Sequence, residues 1–93
     1  MADLPKYLQA LNTYEVRIVK MGDGEWGEVF FDERLIHISR DINLHQQLTT
    51  LLHECLHVAY PKTSESKIVS LEGEKWAILK PEYLRALLDK LYP

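Results

Sequence analysis

The stretch INLHQQLTTLLHECLHVAY, from Ile42 to Tyr60, decides how this chain is read. Its apolar residues Leu44, Leu48, Leu51, Leu52, Cys55, Leu56 and Ala59 recur at helical spacing and line one side of an α-helix. Asp41 offers a side-chain oxygen as N-cap. Pro61 ends the helix, because the residue before a proline avoids the helical region. Upstream the period changes to two. Tyr14, Val16 and Ile18 alternate with Glu15, Arg17 and Val19, which predicts a strand over 13–20. Gly22-Asp23-Gly24 marks a turn. Val29, Phe30 and Phe31 predict a second strand, Asp32-Glu33 a hairpin connection, and Leu35 to Ser39 a third strand. Before these, Pro5 to Leu11 is expected as a short helix with Pro5 in its first turn and Tyr7, Leu8 and Leu11 on one side.

Downstream of Pro61, Thr63 or Ser64 can cap a second helix, with Glu65 well placed in the first turn of a segment running to about Lys80. Pro81 begins a third helix, whose apolar side is Tyr83, Leu84, Leu87, Leu88 and Leu91. The expected fold class is therefore α+β: a small antiparallel or mixed sheet followed by three helices, in one domain over residues 1–93.

Composition narrows the function classes. A formal net charge of -3 and no basic run argue against a role built on nucleic-acid phosphates. A single cysteine, Cys55, cannot form an internal disulfide and implies no oxidising compartment. The first residues lack a basic segment followed by an apolar stretch, and no apolar run reaches the roughly 18 residues of a membrane span. The expectation is a cytoplasmic protein that engages neither nucleic acid nor membrane.

Inside the deciding helix lies His53-Glu54-Cys55-Leu56-His57, an H-E-x-x-H pattern. Residues four apart on a helix stand one turn apart on one face, so both imidazoles can reach a single ion. Two imidazoles among Leu51, Leu52, Val58 and Ala59 are costly without such a partner. Glu54 is offset around the helix. It can take a proton from a metal-activated water and pass one to the leaving amine, while zinc lowers the pKa of that water to about 7 and polarises the scissile carbonyl. Against this stands the bland possibility that the two histidines only form local hydrogen bonds. Cys55 points to another face and reads as a small buried hydrophobe.

Catalytic zinc sites usually take three protein ligands. His45 is two turns before His53, too far along the axis to share an ion, and His37 reads as an ordinary strand residue. On the next helix Glu72 interrupts an apolar stripe of Ile68, Val69, Trp76 and Leu79, and a carboxylate there needs compensation. Glu65 lies two turns earlier on a similar azimuth, but favourable interaction with the helix N-terminus accounts for it. Glu72 is thus preferred over Glu65 as third ligand. Glu74 should be solvated beside Lys67 and Lys75. Tyr60 and Tyr83 could donate to a developing oxyanion, but packing with a wet hydroxyl is the simpler reading for both.

The segment Thr49 to His57 resembles the metal helix of the small zincin-like metallopeptidases, notably short phage and prophage forms. Tyr60-Pro61, Ser64-Glu65 and Leu71-Glu72 are similar to the stretch that follows in those proteins. Leu35 to Ser39 resembles the strand that in zincins runs at the sheet edge beside the cleft. The likeness spans roughly residues 28 to 80 and is strongest over 49 to 57. It implies the gluzincin branch, with two histidines and a distal glutamate. The metzincin pattern is absent, since no third histidine follows at the required spacing. The separation of His57 from Glu72 is shorter than in large gluzincins. Together these readings imply a zinc-dependent peptidase with His53, His57 and Glu72 as ligands and Glu54 as general base. Its partner would be a peptide or protein substrate lying along the strand near Ile36 to Ile38. The rival expectation is a non-catalytic binding or regulatory module of the same fold, stabilised by zinc.

Overall fold

The computed structural model describes residues 3–93. These residues form a three-stranded sheet and four α-helices, an α+β fold. The expected first helix divides into a 3-10 turn, Lys6–Leu8, and the one-turn α1, Ala10–Thr13. Then follow β1 (Glu15–Val19), β2 (Gly27–Phe30), β3 (Leu35–Ser39), α2 (Leu44–Ala59), α3 (Glu65–Ala77) and α4 (Pro81–Leu91).

The sheet is mixed, with spatial order β1-β3-β2. β2 and β3 form the expected antiparallel hairpin, whose turn places Arg34 in the left-handed region at φ 51°. β3 also pairs with β1 in parallel, with Ile18 opposite Ile38. This corrects the expectation for Leu35 to Ser39. The strand is central and its backbone is paired on both sides, so it cannot accept an extended peptide near Ile36 to Ile38. Ile36 and Ile38 are instead fully buried beneath α2. The strand with a free edge beside α2 is β2. Its position is set by long-range pairing, which alternation within a strand does not encode.

The middle of the molecule is α2. Asn43, rather than Asp41, is its N-cap: the Asn43 side chain accepts from the Gln46 amide, and the Gln46 side chain accepts in return from the Asn43 amide. That reciprocal pair satisfies two donors that would otherwise be orphaned. Most of the stripe read from the sequence is buried, but Leu44 in the first turn is exposed and Ala59 near the end only half-buried. Leu51, Leu52, Cys55 and Leu56 pack with Leu8, Leu11, Ile36, Ile38, Ile68, Leu87 and Leu91. Each such leucine or isoleucine contributes roughly 1.5–3 kcal/mol through burial. Gln47, also buried, donates to the Ser39 carbonyl and accepts from the Tyr92 hydroxyl at 2.6 Å, tying the end of the chain to the sheet.

Ser64 caps α3, as one of the two expected residues. Of the stripe expected on this helix, Ile68 is fully buried, but Val69 turns to solvent. Among the described residues, no helix is long and apolar enough to cross a membrane.

Candidate metal centre

The centre forms where α2 and α3 lie side by side. Their chain directions oppose, since His57 near the end of α2 meets Glu65 at the start of α3, while His53, one turn earlier, meets Glu72 further along. The brief connection after Pro61 enforces this return. The i, i+4 spacing brings the two Nε2 atoms of His53 and His57 within 3.1 Å of each other. The Glu65 carboxylate closes the triangle, with Oε1 2.7 Å from His53 Nε2 and Oε2 2.7 Å from His57 Nε2.

These three groups could hold a metal ion: their donor atoms all lie within 4.8 Å of one another. Donors about 2.0–2.1 Å from a tetrahedral ion stand about 3.3 Å apart, so the triangle needs only small adjustment to accept one. Its chemistry fits as well. On the far side of the ring, His53 Nδ1 lies 2.8 Å from Glu72 Oε1. A carboxylate there accepts the Nδ1 proton and leaves the Nε2 lone pair free to ligate. Nitrogen and carboxylate donors facing a common point could hold a cation between them. Glu65 is 64% exposed, so the centre opens to solvent on its side.

Glu72, the carboxylate preferred from periodicity, therefore contacts the opposite nitrogen of His53 from the one that faces His57. Glu65 shares the Nε2 side with both histidines. Azimuth alone did not separate these two carboxylates, which lie seven residues apart. Axial position did. Counted outward from Pro61, His57 and Glu65 both lie four residues away, whereas Glu72 lies eleven away, beyond His53 at eight, and that count was available in the sequence.

Glu54 is 7% exposed and makes no hydrogen bond or ion pair among the described residues. It lines a cleft of about 240 Å³ together with Trp26, Gly27, Thr49, Thr50, His53 and Glu72. Burial pushes its carboxyl up to about 7; the carboxylates of Glu65, Glu28 and Glu72 push the same way, and His53 opposes them. A carboxyl poised near neutrality beside a candidate metal centre suits proton transfer in both directions.

The opposite wall of the cleft is β2, and Gly27 is what allows its approach. A Cβ at that position would stand 2.6 Å from Thr50 Cγ2 and 2.9 Å from Glu54 Oε2. Gly27 and Trp26 were not singled out from sequence. The available signal was a glycine within a strand-like segment, which often marks a close backbone approach.

The other candidates take bland roles. His45 is exposed and stacks edge-on with Trp76, and His37 sits on β3 against Phe30. Cys55 is fully buried, and burial raises its thiol pKa further from reactivity. Lys6 lies over the Tyr60 ring and Lys80 over that of Tyr83, and neither tyrosine lines the cleft. Glu74 is exposed as expected. No family model matches the chain, and neither a curated protein nor a solved structure does.

Proposed function

We propose that this protein is a zinc-dependent peptidase of zincin-like type, in which His53, His57 and Glu65 hold the metal and Glu54 is the general base. One observation carries the reading. Two Nε2 atoms from an H-E-x-x-H helix converge with a carboxylate, and the glutamate of the same motif stands apart from that triangle, lining the adjoining cleft. Zinc, when bound, supplies a Lewis acid that lowers the pKa of water to about 7 and polarises a carbonyl.

The chain's own residues do the rest. Glu72 accepts the Nδ1 proton of His53 and fixes the ring with Nε2 directed toward His57 and Glu65. Glu54 takes the proton of the attacking water at its carboxylate and delivers it to the leaving amine nitrogen, so that it ends the cycle as it began. Burial keeps that carboxyl from a full solvent shell and, in the metal-free protein, pushes its pKa up. The free edge of β2 offers main-chain donors and acceptors for an extended peptide beside Glu54.

The rival reading, a zinc-stabilised binding module, gives the largely buried Glu54 beside the cleft no task. The discriminating variant is Glu54→Gln, which keeps the size of the side chain but removes the base. It should bind zinc as wild type does and lose hydrolysis of a degenerate peptide library by about 100-fold or more. Equal cleavage by wild type and Glu54→Gln would exclude the mechanism. Zinc binding without cleavage by wild type would favour the binding module.

A further inference from the structure

The cleft beside the candidate metal centre has a chemical character of its own. At about 240 Å³ it is smaller than the about 300–1,000 Å³ of a drug-sized ligand pocket, so it suits one side chain. Thr49 and Thr50, one turn before His53, and the half-exposed indole of Trp26 supply its less polar walls. Its charged lining is acidic: Glu54 and Glu72 are present, and neither lysine nor arginine lines it. Glu72 engages His53 through Oε1, and its Oε2 makes no hydrogen bond or ion pair among the described residues. Glu54, 7% exposed as a residue, likewise shows no hydrogen bond or ion pair among the described residues, and its oxygens open to the cleft. Confined carboxylates with free acceptor capacity favour a donor, and an aromatic face favours a cation.

We propose that this cleft is the specificity pocket of the peptidase and takes the basic side chain, lysine or arginine, of a residue flanking the scissile bond; the inference rests on the hydrolase reading above. Lysine and arginine join an aliphatic stem to a cationic head. The stem lies against Trp26 and the threonine methyls, and the head reaches the free oxygen of Glu72. An aspartate or glutamate in the same place meets the carboxyls of Glu54 and Glu72 and no lysine or arginine, an arrangement that discriminates by repulsion.

The test is cleavage of a degenerate peptide library by the zinc-loaded protein, read by mass spectrometry and followed by kcat/KM on matched peptides. Lysine or arginine should exceed aspartate or glutamate by about tenfold or more at one position beside the cleaved bond. Thr49→Lys, which brings a cation to the lining, should reduce that ratio about tenfold. Trp26→Ala alters a half-exposed side chain and should lower kcat/KM for basic peptides several-fold more than for neutral ones, so the test does not depend on Thr49→Lys folding. Cleavage that needs zinc and Glu54 but shows no charge preference, or an acidic one, overturns this inference and leaves the hydrolase reading standing. Absence of cleavage anywhere in the library overturns both.

Discussion

Gly27→Ala is the substitution whose consequences the structure specifies most fully. The added Cβ would sit 2.6 Å from Thr50 Cγ2, 2.9 Å from Glu54 Oε2 and 3.3 Å from Glu54 Cγ. Carbon atoms pack best about 3.5–4.0 Å apart, so β2 and α2 must part by about 1 Å, or Thr50 and Glu54 must turn aside. Thr50 is β-branched, held in a helix and buried, so it has little rotamer freedom. Overpacking of this kind costs about 1–3 kcal/mol. In a domain of this size each 1 kcal/mol lowers Tm by about 4–8 °C, which circular dichroism resolves easily. Catalysis should suffer as well as stability. Displacing the general base by about 1 Å lowers hydrolysis by about 100-fold. Zinc stoichiometry should hold at one per chain, because the atoms nearest the added Cβ belong to Thr50 and Glu54, not to His53, His57 or Glu65. A Gly27→Ala protein with wild-type Tm and wild-type cleavage would refute the claim that this glycine sets the cleft wall.

Three further outcomes follow from separate parts of the molecule. Glu72→Ala should weaken zinc affinity by about 10–100-fold, as removal of an orienting partner does, and Glu65→Ala should weaken it more; competition titration giving the reverse order would return the ligand role to Glu72. In metal-free protein the carboxyl of Glu54 is raised from 4.5 to about 7, so the fold retains a proton there that the unfolded chain releases, and stability falls by about 1–3 kcal/mol as pH rises through that window. Glu54→Gln lacks this loss, so its urea-denaturation advantage over wild type, with chelator present, should grow between about pH 4 and pH 8, and a difference independent of pH contradicts the burial argument. Arg34 occupies the left-handed region at φ 51°, so Arg34→Gly should add about 0.5–1 kcal/mol of stability, and a loss on urea denaturation would show that its side chain contributes more than its backbone strain costs.

What the sequence made legible was local. Helical spacing identified the buried stripe of α2, and the four-residue step placed His53 and His57 on one face, because both depend only on backbone period. Turn and proline signals divided the chain into elements close to those observed. What escaped was set by distance along the chain. The order β1-β3-β2 arises from pairing β1 with a strand sixteen or more residues later, past β2, and no alternation within β3 distinguishes a central strand from an edge. The expected substrate edge therefore fell on the wrong strand. Gly27 mattered only once β2 was known to cross α2 at Thr50 and Glu54. The choice between Glu65 and Glu72 was limited for a different reason: rotation about the helix was weighed and rise along it was not, and it is Glu65 whose donor atoms lie with those of His53 and His57. Val69 drew attention as part of an apolar stripe, yet the helix needed only Ile68 to reach the core at that turn.

The most direct test of the account is the metal content of the purified protein after titration with zinc at neutral pH, measured by elemental analysis beside His53→Ala and His57→Ala. Convergence of two imidazoles and a carboxylate predicts one zinc per chain in wild type and its loss in both variants. Wild-type protein that retains no zinc under these conditions, or variants that retain a full equivalent, would contradict the assignment of this centre.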